Sequence, residues 1–284
     1  MASPVGAAVA AALGVPVRSV SAVGGGCISD AGRVELGDGR TVFAKAGAGL
    51  PAGLLEVEAE GLAWLGGVPG VRVPGVVAAT ADVLVMDWVE PGPAGPGTGR
   101  DLGRGLAALH RAGADRFGWH RDGFIGTLPQ RNTPGAVGWP EFWVSHRLVP
   151  LAARAIAAGT LAPAARPLVD RLAARLPDLA GPPEPPARLH GDLWSGNVHV
   201  ARDGRPWLVD PAAYGGHREV DLAMLALFGP PPPGTLEAYQ EAFPLADGWR
   251  ERRELWQLEP LLTHAVMFGG GYGDAALAVL RQFA

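Results

Sequence analysis

The sequence predicts an α+β protein of two lobes, a small β-rich N-terminal lobe over 1–89 and a larger, mostly helical lobe over 100–284. Three observations carry this. Period-two apolar patterns crowd into the first ninety residues, where alternating side chains mark half-buried strands. A Pro/Gly-rich stretch, EPGPAGPGTG (90–99), follows them and is the expected linker. Beyond it the apolar spacing becomes helical and stays so to the end.

The elements follow in chain order. MASPVGAAVAAALGVP is alanine-rich, but it lacks a basic start and its apolar run is broken by Gly6, Gly14 and Pro16. We read a short surface helix there rather than a signal peptide. VRSVSAV (17–23) and ISDAGRVEL (28–36) are strands flanking a glycine-rich turn, Gly24, Gly25, Gly26 and Cys27. Asp38-Gly39 marks a tight hairpin into TVFAKA (41–46). LLEVEAEGLAWL (54–65) is a helix, and VRVPGVVAAT and DVLVMDWV are two further strands. In the second lobe, RDLGRGLAALHRAG, WPEFWVSHRLVPLAARAIAAG, PLVDRLAARL and everything from Val220 read as helices, with one short hairpin around Asp203-Gly204.

Composition narrows the function. A net charge of −4 and scattered arginines argue against a nucleic-acid surface, and no run of eighteen apolar residues suggests a membrane span. A single cysteine excludes an intramolecular disulfide framework and fits a reducing cytoplasm. Of 24 basic residues only Lys45 is lysine, and Asn132 and Asn197 are the only asparagines. In a chain so biased toward Ala, Gly, Pro and Arg, these survivors point to positions where a substitute fails.

Four features converge on the expected cleft between lobes. Glycines 24–26 let backbone amides approach a phosphate, although the pattern is neither a dinucleotide-binding nor a Walker fingerprint. Lys45, on a strand after that turn, can reach α/β-phosphates if a helix acid orients it. Glu58 is that acid, since it shares the face of Leu54, Leu55 and Leu62, while Glu56 and Glu60 point away. In HGDLWSGN (190–197), Asp192 can accept a hydroxyl proton and Asn197 can offer an oxygen to Mg²⁺. Asp210, at a strand end past the hairpin, completes a hard-cation donor set.

HGDLWSGN followed by VDPAAYGGHREVDLAML (209–225) resembles the fructosamine kinase (ketosamine-3-kinase) family of protein-kinase-like phosphotransferases. GGGCISDAGRVEL, FGWHRDGFIGTLPQRN and LEPLLTHAVMFGGGY extend the resemblance over nearly the whole chain. It implies a bilobal protein-kinase-like fold and ATP-dependent phosphorylation of the 3-hydroxyl of a free or protein-bound ketosamine, with a role in deglycation. By that resemblance Asp192 is the catalytic base and Asn197 and Asp210 hold Mg²⁺. Lys45 and Glu58 anchor ATP, whose base meets Met86 and the backbone of Asp87 and Val89. Trp194 lies beside the sugar-amine, and Asp221 braces the catalytic loop. A glycine-loop cysteine of this family can form an intermolecular disulfide, which makes Cys27 a candidate redox switch in a monomer or homodimer. Gly123 and Val266 replace expected asparagines near the acceptor pocket and leave the sugar open. The alternatives are an aminoglycoside or other small-alcohol phosphotransferase and, from another class, an inactive nucleotide-binding protein.

Overall fold

A computed structural model describes residues 3–23, 30–136 and 138–284. Gly24, Gly25, Gly26 and Cys27 lie outside the described residues. Strands β1 (Val17–Ala22), β2 (Asp30–Leu36), β3 (Thr41–Ala46), β4 (Val76–Ala79) and β5 (Val83–Asp87) form one antiparallel sheet in the order β1-β2-β3-β5-β4. Helices α1 (Pro4–Leu13) and α2 (Leu54–Gly66) cover its two faces.

Strand alternation decides which side chain meets which helix. Val42, Ala44 and Ala46 of β3, with Val83 and Val85 of β5, pack in one cluster with Val5 and Val9 of α1. The opposite parity packs Phe43, Leu84 and Met86 against Leu54, Leu55, Ala59 and Leu62 of α2. Lys45 therefore points toward α2. The expected surface helix is corrected here: Val5 and Val9 are buried, because the outer sheet face needs an apolar cover.

The second lobe begins with α3 (Thr98–Arg111), whose start lies inside the expected linker. The rest of that stretch is not free. Gly92 N–H donates to the Val200 carbonyl (2.9 Å), Arg202 N–H to that of Glu90 (2.8 Å), and Pro91 bridges Ala201 in antiparallel fashion.

The one expected hairpin becomes three two-stranded pairs: β6 (Gly123–Ile125) with β7 (Leu128–Gln130), β9 (Val198–Val200) with β10 (Pro206–Leu208), and β8 (Ala187–Leu189) with β11 (Tyr214–Gly216). Strands of three residues are too short to show alternation, so their patterns blend into loops.

The helical run over 139–159 divides into α4 (Trp139–Trp143), a π-helical turn (Val144–Leu148) and α5 (Val149–Ala157). Pro150 lacks an amide donor and would crowd a carbonyl one turn earlier, and a π turn accommodates both. The remaining helices are α6 (Arg166–Leu179), α7 (Glu219–Leu225), α8 (Thr235–Ala242), α9 (Trp249–Phe268) and α10 (Tyr272–Phe283). Among the described residues no helix is long and apolar enough to cross a membrane.

Two cores support this lobe. One gathers Trp139, Phe142, Trp143, Tyr214 and Trp256. The other places Leu102, Leu106 and Leu109 of α3 beneath Leu193 and Leu208, next to the expected catalytic loop. Helix α3 crosses α8 closely at Gly103, where a Cβ would fall 2.1 Å from the Thr235 carbonyl oxygen. Gly103→Ala would gain about 1 kcal/mol of helix propensity. The backbone oxygen cannot yield, however, and overpacking costs about 1–3 kcal/mol. We expect net destabilisation, read as a lower urea midpoint at unchanged slope.

Candidate active site

Lys45 is buried among carboxylates. Its Nζ donates to Glu58 Oε1 of α2 and to Asp210 Oδ1, both at 2.7 Å. Burial opposes its charge, but the two carboxylates more than offset this and hold its pKa above the usual lysine range. Glu56 and Glu60 take no part. Glu60 instead bonds Arg121 (2.9 Å) and His120 (3.1 Å). Of the three acids the helical spacing distinguishes, Glu58 is the one that contacts Lys45.

The loop 190–197 leaves β8 through Gly191, whose φ of 82° and close approach to Ala212 suit glycine alone. A Cβ there would lie 2.0 Å from the Ala212 carbonyl oxygen. Six residues on, Asn197 closes the loop over Asp192. Its Nδ2 donates to the Asp192 carbonyl (2.8 Å) and to Asp192 Oδ2 (3.0 Å), which leaves Oδ1 with no protein donor among the described residues. Burial pushes the Asp192 carboxyl up to about 6. The Asn197 amide opposes the shift, and the charges of Asp210 and Asp221 add to it.

Asp221 ties the loop down from below. Its Oδ2 accepts from His190 N–H (2.7 Å) and its Oδ1 from Gly191 N–H (2.9 Å). The His110 ring, at 3.2 Å, donates through Nε2 and in turn faces the Tyr239 hydroxyl at 2.8 Å through Nδ1. Burial opposes ionisation of Asp221, yet its hydrogen bond and attraction to His110 bring its pKa below the usual carboxylate range. This is the bracing expected of Asp221.

His190 Nε2 donates to the Val209 carbonyl (2.9 Å), and Val209 N–H donates to the Asn197 carbonyl (3.0 Å). The same hydrogen-bonded unit therefore holds Asp192, Asn197 and the residue before Asp210. Asp210 itself has a φ of 57°, the one positive φ of a non-glycine among the described residues. Aspartate tolerates this region better than most side chains, at a cost of about 1–2 kcal/mol. Outliers of this kind cluster at functional sites.

Among the described residues no three of His, Cys, Asp and Glu form a cage. The available donors are the Asp210 carboxylate and the Asn197 carboxamide oxygen. Such a sparse, all-oxygen set suits Mg²⁺, which keeps several waters and takes the rest of its ligands from phosphate.

The other expected residues also have definite places. Met86 is buried behind the sheet in the α2 core. Asp87 is fastened to Gly75, its N–H donating to the Gly75 carbonyl (2.9 Å) and its Oδ2 accepting from Gly75 N–H (3.2 Å). The Val89 carbonyl accepts from His199 (3.0 Å). Trp194 is 36% exposed and meets Phe228 edge-on at 6.0 Å. The Nδ2 of buried Asn132 has no partner among the described residues, and a Cβ at Gly123 would lie 3.7 Å from it.

Sequence reasoning passed over His199 and the stacked pair Phe43–Trp88 (6.5 Å). For Phe43 the signal was present, since it shares Lys45's strand parity. A cleft of about 660 Å³ lies behind α2, lined by Trp64, Trp119 and Arg188 among others. None of the expected site residues among those described lines it.

The family model for fructosamine kinase matches residues 1–284. A Synechocystis sp. protein named as a ketoamine kinase is 36% identical over 272 residues, covering 93% of this chain and 89% of its own. A chloroplastic protein-ribulosamine 3-kinase of Oryza sativa subsp. indica is 32% identical over 280 residues, 94% of this chain and 79% of its own. The crystal structure of a chain described as a fructosamine-3-kinase from Thermobifida fusca superposes with a TM-score of 0.91 at 45% identity. It covers 98% of this chain and 97% of that one. With a full-length family match, relatives above 30% identity and a shared protein-kinase-like fold, the chain belongs to the fructosamine kinase family.

Proposed function

We propose that the protein is an ATP-dependent ketosamine-3-kinase of the cytoplasm that phosphorylates the 3-hydroxyl of a ribulosamine or fructosamine, free or protein-bound. The observation that carries this reading is the sharing of Lys45 Nζ between Glu58 and Asp210, the latter 165 positions away. Beside that arrangement, a third carboxylate, Asp192, is held by Asn197. The names of the relatives favour a ketosamine acceptor.

In this reading Lys45 holds the α/β-phosphates, and Glu58 keeps its ammonium aimed. Asp192, largely ionised at neutral pH, orients the acceptor hydroxyl and takes its proton. The hydroxyl oxygen bonds the γ-phosphorus as the bond to the β-phosphate oxygen breaks and ADP leaves. Asn197 Oδ1 and Asp210 hold Mg²⁺, which when bound offsets phosphate charge. Met86 and the backbone of Asp87 and Val89 receive the base, and Trp194 offers its ring to the sugar-amine. The 3-phosphate product is prone to eliminate and release the amine, hence deglycation.

The test is coupled ADP release against ribuloselysine, fructoselysine, an aminoglycoside and choline. We expect turnover on a ketosamine that EDTA abolishes and Mg²⁺ restores. Turnover confined to the aminoglycoside or choline would overturn the acceptor assignment, and turnover unaffected by EDTA would overturn the metal assignment.

A further inference from the structure

The linker between lobes runs antiparallel beside the β9–β10 hairpin, joined to it by an isolated bridge from Pro91 to Ala201. The bonds from Gly92 to Val200 and from Arg202 to Glu90 run along it, and His199 extends the ladder with a side chain. His199 Nε2 lies 3.0 Å from the Val89 carbonyl oxygen. A carbonyl only accepts, so Nε2 carries the proton. Two residues earlier in the same segment is Asn197, whose amide holds Asp192. Backbone that faces the base and backbone that positions the phosphoryl-transfer loop are thus joined at one imidazole.

From this geometry we infer that His199 is a positioning and specificity residue for the nucleotide base, setting the Val89 edge for adenine and against guanine. The inference rests on the ATP-binding reading above. Adenine presents an exocyclic amine donor beside a ring acceptor, a pattern that pairs with one backbone carbonyl and one backbone N–H. Guanine inverts it, with an exocyclic oxygen acceptor beside a ring N–H and an exocyclic amine donor. Two adjacent guanine donors need backbone acceptors, and His199 already occupies one of the two lone pairs of the Val89 carbonyl and fixes the carbonyl's direction. Fixing that carbonyl also fixes the orientation of the Val89 peptide, and with it the edge offered to adenine. The linker bonds at Glu90 and Gly92 persist without His199, so its loss affects the edge and not the whole linker.

The test compares His199→Phe and His199→Ala, which remove the donor, with His199→Gln, which can return an N–H to the carbonyl. Steady-state turnover with ATP and GTP at saturating ketosamine is paired with displacement of a fluorescent adenine nucleotide, which needs no acceptor. Loss of one hydrogen bond corresponds to about a three- to tenfold effect. We expect KM for ATP to rise by that factor in the Phe and Ala variants. Their kcat should stay within about twofold, and the ATP-over-GTP preference should fall by a similar factor. His199→Gln should restore both. Unchanged ATP affinity and base preference in the Phe and Ala variants would overturn the inference. So would a fall in kcat alone, which would place His199 with the catalytic loop instead. If the native protein binds adenine nucleotide but turns over no ketosamine, the acceptor reading fails while displacement still tests His199.

Discussion

Asp192→Asn abolishes most turnover, lowering kcat by about 10³-fold, within the 10²- to 10⁴-fold typical of a lost general base. The substitution preserves size, and its carboxamide oxygen can still accept from Asn197 Nδ2, so the loop keeps its closure. It removes only the capacity to take the acceptor's proton. Stability separates this outcome from misfolding. In the protein free of nucleotide and metal, burial and the charges of Asp210 and Asp221 raise the Asp192 pKa to about 6. A carboxyl whose folded pKa is raised loses stabilising effect as pH climbs from its unfolded value, near 4, through 6. At pH 7 the ionised group is a net burden, so Asp192→Asn should melt at the same temperature as the native protein or higher. KM for ATP should be little changed. A variant that keeps more than a tenth of native kcat, or that melts well below it, would remove Asp192 from the role of base.

Asp221→Asn gives the opposite pattern, lost stability together with lost activity. The native carboxylate accepts from the N–H groups of His190 and Gly191 and from His110. An amide of the same shape must turn its NH₂ toward at least one of those donors. Breaking a buried charge arrangement from one side costs about 3–5 kcal/mol, a large share of a domain's stability.

The pH dependence identifies the cause. Asp221's folded pKa is depressed, so its contribution is fully present above the unfolded carboxylate value, about 4. It is lost as pH falls through the folded value. The stability gap between native and variant protein should therefore be widest at neutral pH and narrow below about pH 4. Urea unfolding across pH 3 to 7 measures it. A gap that holds constant with pH would mean that the carboxylate's charge is not what braces the loop.

Local chemistry was enough to place much of this molecule. Strand parity sends Lys45 and Phe43 to the same face, and helix periodicity selects Glu58 over Glu56 and Glu60, because both depend only on near neighbours along the chain. Asp38-Gly39 turns the β2–β3 hairpin for the same reason, with Gly39 at a φ of 91°. HGDLWSGN shows its nature through residue type and order, since a carboxylate and a carboxamide five positions apart can close on each other within a single loop.

The second partner of Lys45 is different. Asp210 is 165 residues away, and no pattern in either segment specifies their meeting. It follows from the packing of α2 and α3 around the catalytic loop. The same holds for Asp221 reaching His190 across 31 positions and for His199 reaching Val89 across 110. Composition alone presents 90–99 as a free spacer, yet the Gly92 N–H and the Glu90 carbonyl pair with Val200 and Arg202 of the β9–β10 hairpin. The broken, alanine-rich run of α1 suggests a surface helix, and only the assembled sheet supplies the partner that buries Val5 and Val9. Residue type and period thus determine the chemistry each side chain carries and the face on which it sits. Which distant face it meets is decided by burial of apolar surface and by completion of hydrogen bonds, both properties of the assembled fold.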